Sequence, residues 1–424
     1  MKKALIITYY WPPAGGSGVQ RWLKFVKYFR DFGIEPIVYT VENANYPIQD
    51  ASLQKDIPNE IEILKQPIWE PNNLLSFFGK KKTESAGFLN PNPTFFGKIL
   101  QYIRANYFIP DARKFWVKPS VKFLKEYISK NNIDVVITTG PPHSLHLIGL
   151  QLKQQLGIKW ISDFRDPWTE IDYFHQLPLS KKAIKKHHQL EQNVLKLSDA
   201  VLVVGETMKQ NYQPFNKNIF VVTNGFDGEV QDNNMLDKKF TLTHIGLMNA
   251  DRNPVMLWKV LAEILLENTD FALDFQLKLI GKVDDSVKND IEKFRLSKNV
   301  SLIDYVSHNE VVEFQKKSQV LLLIVNNVPS AKGILTGKIF EYLMAKRPIL
   351  AIAPANGDLA EILNNSNAGK VIDFNDEISL KNHILELYSQ FKNGNLTINS
   401  NGINKFHRKE LTKKVVEIIN QITT

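Results

Sequence analysis

Hydrophobic positions along the chain gather into short, wholly apolar runs separated by stretches with helical spacing, the pattern of strands covered on both faces of a parallel sheet. The first run, 4–9, is followed by a segment, 19–32, in which Trp22, Phe25, Val26 and Phe29 share one helical face. A strand over 35–41 comes next, after Gly33 ends the helix. This βαβ opening predicts a right-handed crossover and a parallel sheet. The regularity lapses between 45 and about 119, where prolines, asparagines and aromatics mix. It returns with strands over 134–139, 159–164, 200–204 and 219–223 and helices over 144–156 and 181–197.

A charged segment poor in apolar residues, 227–239, reads as a linker. Beyond it the alternation restarts, with strands over 240–245, 276–280, 300–303, 320–325, 348–353 and 370–372. Helices over 254–266, 286–296 and 309–317 fall between them, and an amphipathic helix spans 409–422. The expected fold class is α/β, with two Rossmann-like doubly wound parallel-sheet domains facing a cleft. The expected boundaries are 1–226, with an aromatic and basic insertion at about 70–118, then the linker, then 240–400. In such sheets ligands bind beyond the carboxyl ends of the strands.

Composition narrows the chemistry. At 424 residues the chain exceeds what one core supports, in keeping with two domains. The absence of cysteine removes disulfides, thiolate metal sites and a cysteine nucleophile, and suits a reducing, cytoplasmic compartment. The apolar run after Met1, Lys2 and Lys3 is too short for a signal peptide, and no stretch reaches the roughly 18 to 20 apolar residues of a membrane span. A formal charge of +9 suits nucleic acid, an anionic membrane surface or phosphorylated small molecules. The lysines are dispersed and no nucleic-acid-binding signature is present, so no nucleic-acid partner is expected. In the insertion, Lys80, Lys81 and Lys82 and later bases alternate with Phe95, Phe96, Tyr102, Tyr107, Phe108 and Phe115. That mixture fits a peripheral contact with lipid headgroups, or an irregular insertion with its own small core.

Five motifs carry the candidate chemistry, four of them where strands run into loops. WPPAGGSG (11–18) places Gly15 and Gly16 where a backbone can approach a ligand; Arg21 at the third glycine position speaks against a nicotinamide fingerprint. TGPPHS (139–144) puts His143 at a strand end. DFRDPW (163–168) clusters Asp163, Arg165 and Asp166 beside Trp168. At least one ion pair is expected within the cluster, with the remaining carboxylate on sugar hydroxyls and Trp168 against a sugar ring. IGLMNADRNP (245–254) turns at Gly246 and carries Arg252, a fork suited to a pyrophosphate. GILTGKIFEYLMAKRPILAI (333–352) adds Thr336, Gly337 and Lys338 at a helix start, where anions bind. One turn on, Glu341 suits ribose hydroxyls, or is a solvated face residue.

Taken together, YYWPPAGGSGVQR, TGPPHS, DFRDPW, SDAVLVVGETM, VTNGFD, IGLMNADRNP and TGKIFEYLMAKRPILAI make the chain resemble a GT-B glycosyltransferase of the retaining family 4, also called glycosyl transferases group 1. The resemblance implies transfer from a nucleotide diphosphate sugar to a saccharide or lipid-linked acceptor, in envelope polysaccharide or glycolipid synthesis, with no cofactor and no metal. It makes Glu341 the ribose-binding glutamate, Arg252 the phosphate arginine, Gly15 and Gly16 the glycine loop, and His143 and Asp166 the catalytic candidates. Gly246, Thr336, Gly337 and Lys338 complete the donor set. It also implies that the last helix, 405–424, returns to the first domain. Two departures stand out: Gly333 occupies the place of the family's first glutamate, and Asn253, Pro254 and Val255 follow Arg252 where a lysine is usual, so Lys338 would supply that charge. A nucleotide-sugar epimerase of the same architecture and a non-catalytic polyanion or membrane-surface binding protein are the competing readings.

Overall fold

The computed structural model describes residues 1–44, 46–70, 94–228 and 235–424. The run Lys80 to Lys82 and the middle of the expected linker lie outside them. The chain divides into two compact units, Met1–Asn224 with Arg408–Thr424, and Gly225–His407.

The first unit holds seven strands: β1 (Lys2–Ile7), β2 (Ile34–Val41), β3 (Glu62–Gln66), β4 (Val135–Gly140), β5 (Trp160–Phe164), β6 (Ala200–Val203) and β7 (Ile219–Val221). They pair in parallel in the order β3-β2-β1-β4-β5-β6-β7. The helix Ser17–Phe29 buries Trp22, Phe25, Val26 and Phe29 against this sheet, each contributing about 1.5–3 kcal/mol. The last helix, Arg408–Thr423, packs on that same helix through Leu411, Val415 and Ile419, and the Arg408 guanidinium lies 5.8 Å from the Phe25 ring centre.

The stretch without clear periodicity contains regular structure. β3 is an edge strand, and two helices follow, Phe95–Tyr107 and Lys114–Asn131. The second is anchored by Trp116, stacked on Tyr39 at 4.9 Å, while Tyr39 donates a 2.8 Å hydrogen bond to Ser120.

The second unit has six strands: β8 (Phe240–Ile245), β9 (Phe275–Ile280), β10 (Val300–Ile303), β11 (Val320–Ile324), β12 (Ile349–Ile352) and β13 (Gly369–Ile372). Their order is β10-β9-β8-β11-β12-β13, again all parallel. One face packs on helices Val255–Glu267, Asp285–Lys293 and Glu377–Lys392. The other packs on Lys338–Met344 and Asp358–Ser366, with Ile403 and Phe406 closing over Phe340.

Both sheets wind outward in two directions from an internal strand. The order reverses between β1 and β4 in one unit and between β8 and β11 in the other, and loops diverging at such a point leave a crevice for ligand. The glycine loop and His143 follow β1 and β4, whereas Gly246 and the 325–337 loop follow β8 and β11. The motifs are therefore sorted by topology into two switch points.

The first switch point is held together by one buried ion pair. The expected pairing inside DFRDPW is corrected: Asp163, fully buried, pairs with Arg21, which lies 142 residues earlier in the chain, at 2.8 Å. Trp22 Nε1 and Thr139 Oγ1 also donate to Asp163, while Arg21 donates to the carbonyls of Val222 and Thr223. Burial pushes the Asp163 carboxyl up, but Arg21 and these donors outweigh it and hold the group below the usual carboxylate range. A carboxylate depressed on folding stabilises the fold above its unfolded pKa and loses that contribution as pH falls through the folded one. Asp163→Asn is expected to cost about 3–5 kcal/mol, because Arg21 is left as a buried charge. Melting curves should show a lower midpoint for the variant at neutral pH, and a smaller further loss than wild type on acidification below pH 4.

Candidate functional site

At the switch point of the second unit, β8 ends in a turn at Gly246, whose φ of 112° lies in the region that favours glycine. A Cβ there would stand 2.5 Å from the Lys338 Nζ and 2.7 Å from its Cε. The missing side chain is thus the space that the lysine occupies. Lys338 begins the helix Lys338–Met344 and reaches back across the sheet end to the β8 turn. Its ammonium makes no hydrogen bond or ion pair with the described residues. Desolvation, then the positive charge of Arg252, push it down to about 7 against a smaller opposing effect of Glu341.

Arg252 is fixed from behind. Its Nη1 donates to the Leu247 carbonyl at 2.8 Å and its Nε to Asn326 Oδ1 at 3.0 Å. The two cations therefore converge, Arg252 from the loop after β8 and Lys338 from the helix after β11. Beneath them, burial and then the charges of Lys338 and Arg252 keep His244 neutral. Two oxygens, Asn249 Oδ1 and Thr336 Oγ1, are buried with no hydrogen-bond partner among the described residues. A buried ammonium without an ion pair among the described residues, and buried polar groups without a hydrogen bond, are costly unless a ligand completes them. Lys338, Arg252 and the Thr336 hydroxyl are donors suited to an anion with several oxygen acceptors, whereas Asn249 Oδ1 calls for a donor.

Glu341 stands one turn after Lys338. Gln315, itself buried, donates to its Oε2 at 3.1 Å and sets the direction of the carboxylate. Gly337 is the residue before the helix, with open space around the position of a Cβ. The helix has seven residues, so its dipole is short and the positive field comes mainly from the two side chains. Beside Arg252 a pocket of about 180 Å³ is lined by Asp251, Asn253, Val325, Asn327, Phe374 and Asn375 among others, room for a small polar group rather than a nucleotide sugar.

In the first unit, Gly16 precedes the helix Ser17–Phe29 with φ 82° and nothing near a Cβ position, while Gly15 packs on Ile48 and Asp50 and donates to the Ile48 carbonyl. Arg165 ties the motifs together. Its guanidinium donates to the carbonyls of Gly18, Gly140 and Pro141, stitching the glycine loop to the turn that carries His143. Asp111, from the stretch before helix Lys114–Asn131, caps the helix after His143 through the Ser144 backbone and hydroxyl at 2.9 and 2.8 Å.

His143 lies flat on Trp168, 5.0 Å between ring centres and 9° between planes. Trp168 is only 3% exposed and donates from Nε1 to His187 Nδ1 at 3.0 Å, so the expectation that it faces a sugar ring is corrected: that face is taken by His143. Enclosure, then the charges of His146, Arg165 and His187, hold the His143 imidazole neutral, and its Nδ1 has no hydrogen-bond partner among the described residues. Asp166 is solvent-exposed and makes no hydrogen bond or ion pair with the described residues. Sequence reasoning missed Arg21, Gln315 and Asn326, which orient Asp163, Glu341 and Arg252. Their partners lie 26 to 142 residues away, and no local spacing announces them.

The glycosyltransferase family 4 model matches residues 85–230, and the glycosyl transferases group 1 model matches residues 227–400. No curated protein sequence matches the chain. Among solved structures, sucrose-phosphate synthase from Thermosynechococcus elongatus is similar at 13% identity, with 100% of this chain and 99% of that one covered and a TM-score of 0.62. The lipopolysaccharide outer core galactosyltransferase WaaB is similar at 14% identity, with 99% of each chain covered and a TM-score of 0.62. A mutant of S. aureus TarM in complex with Fondaparinux, alpha-GlcNAc-glycerol and UDP is similar at 12% identity, with 100% of each chain covered and a TM-score of 0.60. At these identities the likeness is one of fold.

The depressed Lys338 gives the site a pH signature. A bound polyanion favours the charged lysine and raises its pKa, so binding takes up a proton above pH 7. Calorimetric titration with a nucleoside diphosphate is expected to show affinity falling roughly tenfold per pH unit between about pH 7.5 and 9. Lys338→Met should lack that slope; a wild-type affinity independent of pH over this range would contradict the assignment.

Proposed function

The chain belongs to the GT-B glycosyltransferases, and from that premise we propose that it transfers a sugar from a nucleotide diphosphate sugar to an acceptor hydroxyl with retention at the anomeric carbon. The observation that carries the donor assignment is the Lys338 ammonium, poised over Gly246 beside Arg252 with no ion pair among the described residues. In this reading the donor diphosphate lies against Lys338 and Arg252, with Thr336 Oγ1 donating to a phosphate oxygen. Glu341, held through Oε2 by Gln315, accepts from ribose hydroxyls on Oε1.

As the bond from the anomeric carbon to the diphosphate oxygen breaks, negative charge grows on the leaving group. The two fixed cations stabilise that charge more than they stabilise the bound donor, which is what accelerates the step. Side chains supply this positive charge in our reading, without a metal. The acceptor hydroxyl bonds to the anomeric carbon and gives up its proton. Neutral His143, kept in orientation by Trp168, and exposed Asp166 are the first unit's groups for handling the transferred sugar and that proton.

The acceptor we propose is a saccharide, free or lipid-linked, in envelope polysaccharide or glycolipid synthesis, met at the cytoplasmic surface of an anionic membrane. Support comes from the group 1 match and from fold similarity to a lipopolysaccharide galactosyltransferase. Among the described residues no helix is long and apolar enough to cross a membrane.

Steady-state kinetics with the donor found by thermal-shift screening of nucleotide diphosphate sugars test the site. Arg252→Ala and Glu341→Ala are each expected to lower kcat/KM by about 100-fold or more, at unchanged melting temperature without ligand. Near-normal turnover in both would remove them from the donor site. Proton NMR of the product should show the anomeric configuration of the donor; the opposite anomer would refute retention.

A further inference from the structure

The helix Phe95–Tyr107 is amphipathic with its sides exchanged. It buries none of its residues. Gly97, Gln101 and Ala105, small or polar, lie on its less exposed side, and it packs on the basic helix Lys181–Leu197. Asn106 secures that packing, donating to the Pro178 carbonyl and accepting from the Ser180 backbone, both at 2.8 Å. Phe95, Phe96, Ile99, Leu100, Ile103 and Tyr107 face solvent, with Phe95 82% and Phe96 68% exposed. At 100° per residue these side chains and Tyr102 span an arc of about 160°, interrupted in the last turn by Asn106, whose amide is bound to the Pro178–Ser180 segment.

Charge borders the arc on both sides. Lys98 stands at one edge and Arg104 at the other, and both are exposed. The adjoining helix adds exposed Lys181, Lys182, Lys185 and Lys186, while its one carboxylate, Glu191, is buried with Thr169 and Tyr212. Helix Phe95–Tyr107 carries no acidic residue. Lys186 is close enough to Lys114 to disfavour its charge, after a larger effect of burial, so the cationic surface continues to the base of the exposed helix.

A folded protein gains nothing by showing such a face to water, since each ring left exposed forgoes its burial free energy. An anionic bilayer surface satisfies both parts at once: rings and aliphatic chains enter the headgroup boundary while the bordering cations meet lipid phosphates. A second protein chain would match the apolar arc but has no stated need for six cations without a carboxylate.

We propose that helix Phe95–Tyr107 lies in the surface of an anionic lipid bilayer, with helix Lys181–Leu197 as its electrostatic support. The proposal deepens the reading of a membrane-borne acceptor given above, and rests on it only for its purpose. The helix precedes Asp111, which caps the helix after His143, so the docked surface connects by a few residues of chain to the turn carrying a catalytic candidate. An acceptor embedded in the same surface would be met there.

The test is vesicle flotation of the full chain with phosphatidylcholine alone and with phosphatidylcholine containing phosphatidylglycerol, at low and high salt. Wild type is expected to float with the anionic vesicles only, and to be released by salt. Phe95→Ser with Phe96→Ser and Ile99→Ser, all at exposed positions, should weaken binding at least about tenfold. Lys182→Glu with Lys185→Glu should weaken it comparably. Absence of wild-type binding, or undiminished binding by both variants, would overturn the proposal. So would a wild-type dimer in sedimentation that the apolar variant converts to monomer, since a second copy would then cover the face. Nucleotide-dependent melting shifts read the donor site separately: their loss with vesicle binding intact would fault the donor reading, and the reverse would fault this one.

Discussion

Lys338 reaches over a turn that only glycine makes comfortably, and the chemistry of the second unit depends on that contact. Gly246 must take φ 112° to end β8, and its missing Cβ is the volume in which the ammonium sits. Any other residue would meet the lysine and strain the turn together. Arg252, held by Leu247 and Asn326, adds a second positive charge that disfavours the charged lysine after the larger effect of burial. Positive charge gathered at one sheet end without an ion pair to the lysine among the described residues is costly for a fold to hold, and an anion would relieve that cost.

The first unit uses the opposite device. Its central ion pair, Arg21 with Asp163, is buried and fully hydrogen-bonded, and serves to clamp the helix after the glycine loop onto β5 and the 222–223 segment. Arg165, the next cation, spends its guanidinium on loop carbonyls rather than on a carboxylate. What this scaffolding leaves for chemistry is a neutral histidine stacked on tryptophan and an exposed aspartate. The second unit thus gathers positive charge at its switch point, while the first leaves a neutral imidazole and a carboxylate.

Much of this was legible in the sequence, for physical reasons that also mark where reading failed. Strands such as β11 and β12 are covered on both faces and so appear as unbroken apolar runs. β3 does not, because Glu62, Ile63, Leu64, Lys65 and Gln66 form a partly exposed edge. The aromatics of helix Phe95–Tyr107 were legible as a candidate headgroup surface, but not as a helix, because the stretch around them mixes prolines, asparagines and bases without a clear period and its apolar side faces outward. The motifs were visible at strand ends, yet the ion pair expected inside DFRDPW and the sugar-facing role expected of Trp168 give way to contacts with distant residues, of Asp163 with Arg21 and of Trp168 with His143. Their partners, Arg21 and His143, are brought close only by the parallel order of β1, β4 and β5. Local pattern locates the loops; the topology decides which residues in them remain free to act.

The most direct test of the donor site is an experimental structure of the full chain with a nucleoside diphosphate bound. Diphosphate oxygens are expected within hydrogen-bond reach of Lys338 Nζ and Thr336 Oγ1, with a ribose hydroxyl on Glu341. A nucleotide seated elsewhere, with Lys338 still lying unpaired over Gly246, would contradict this expectation.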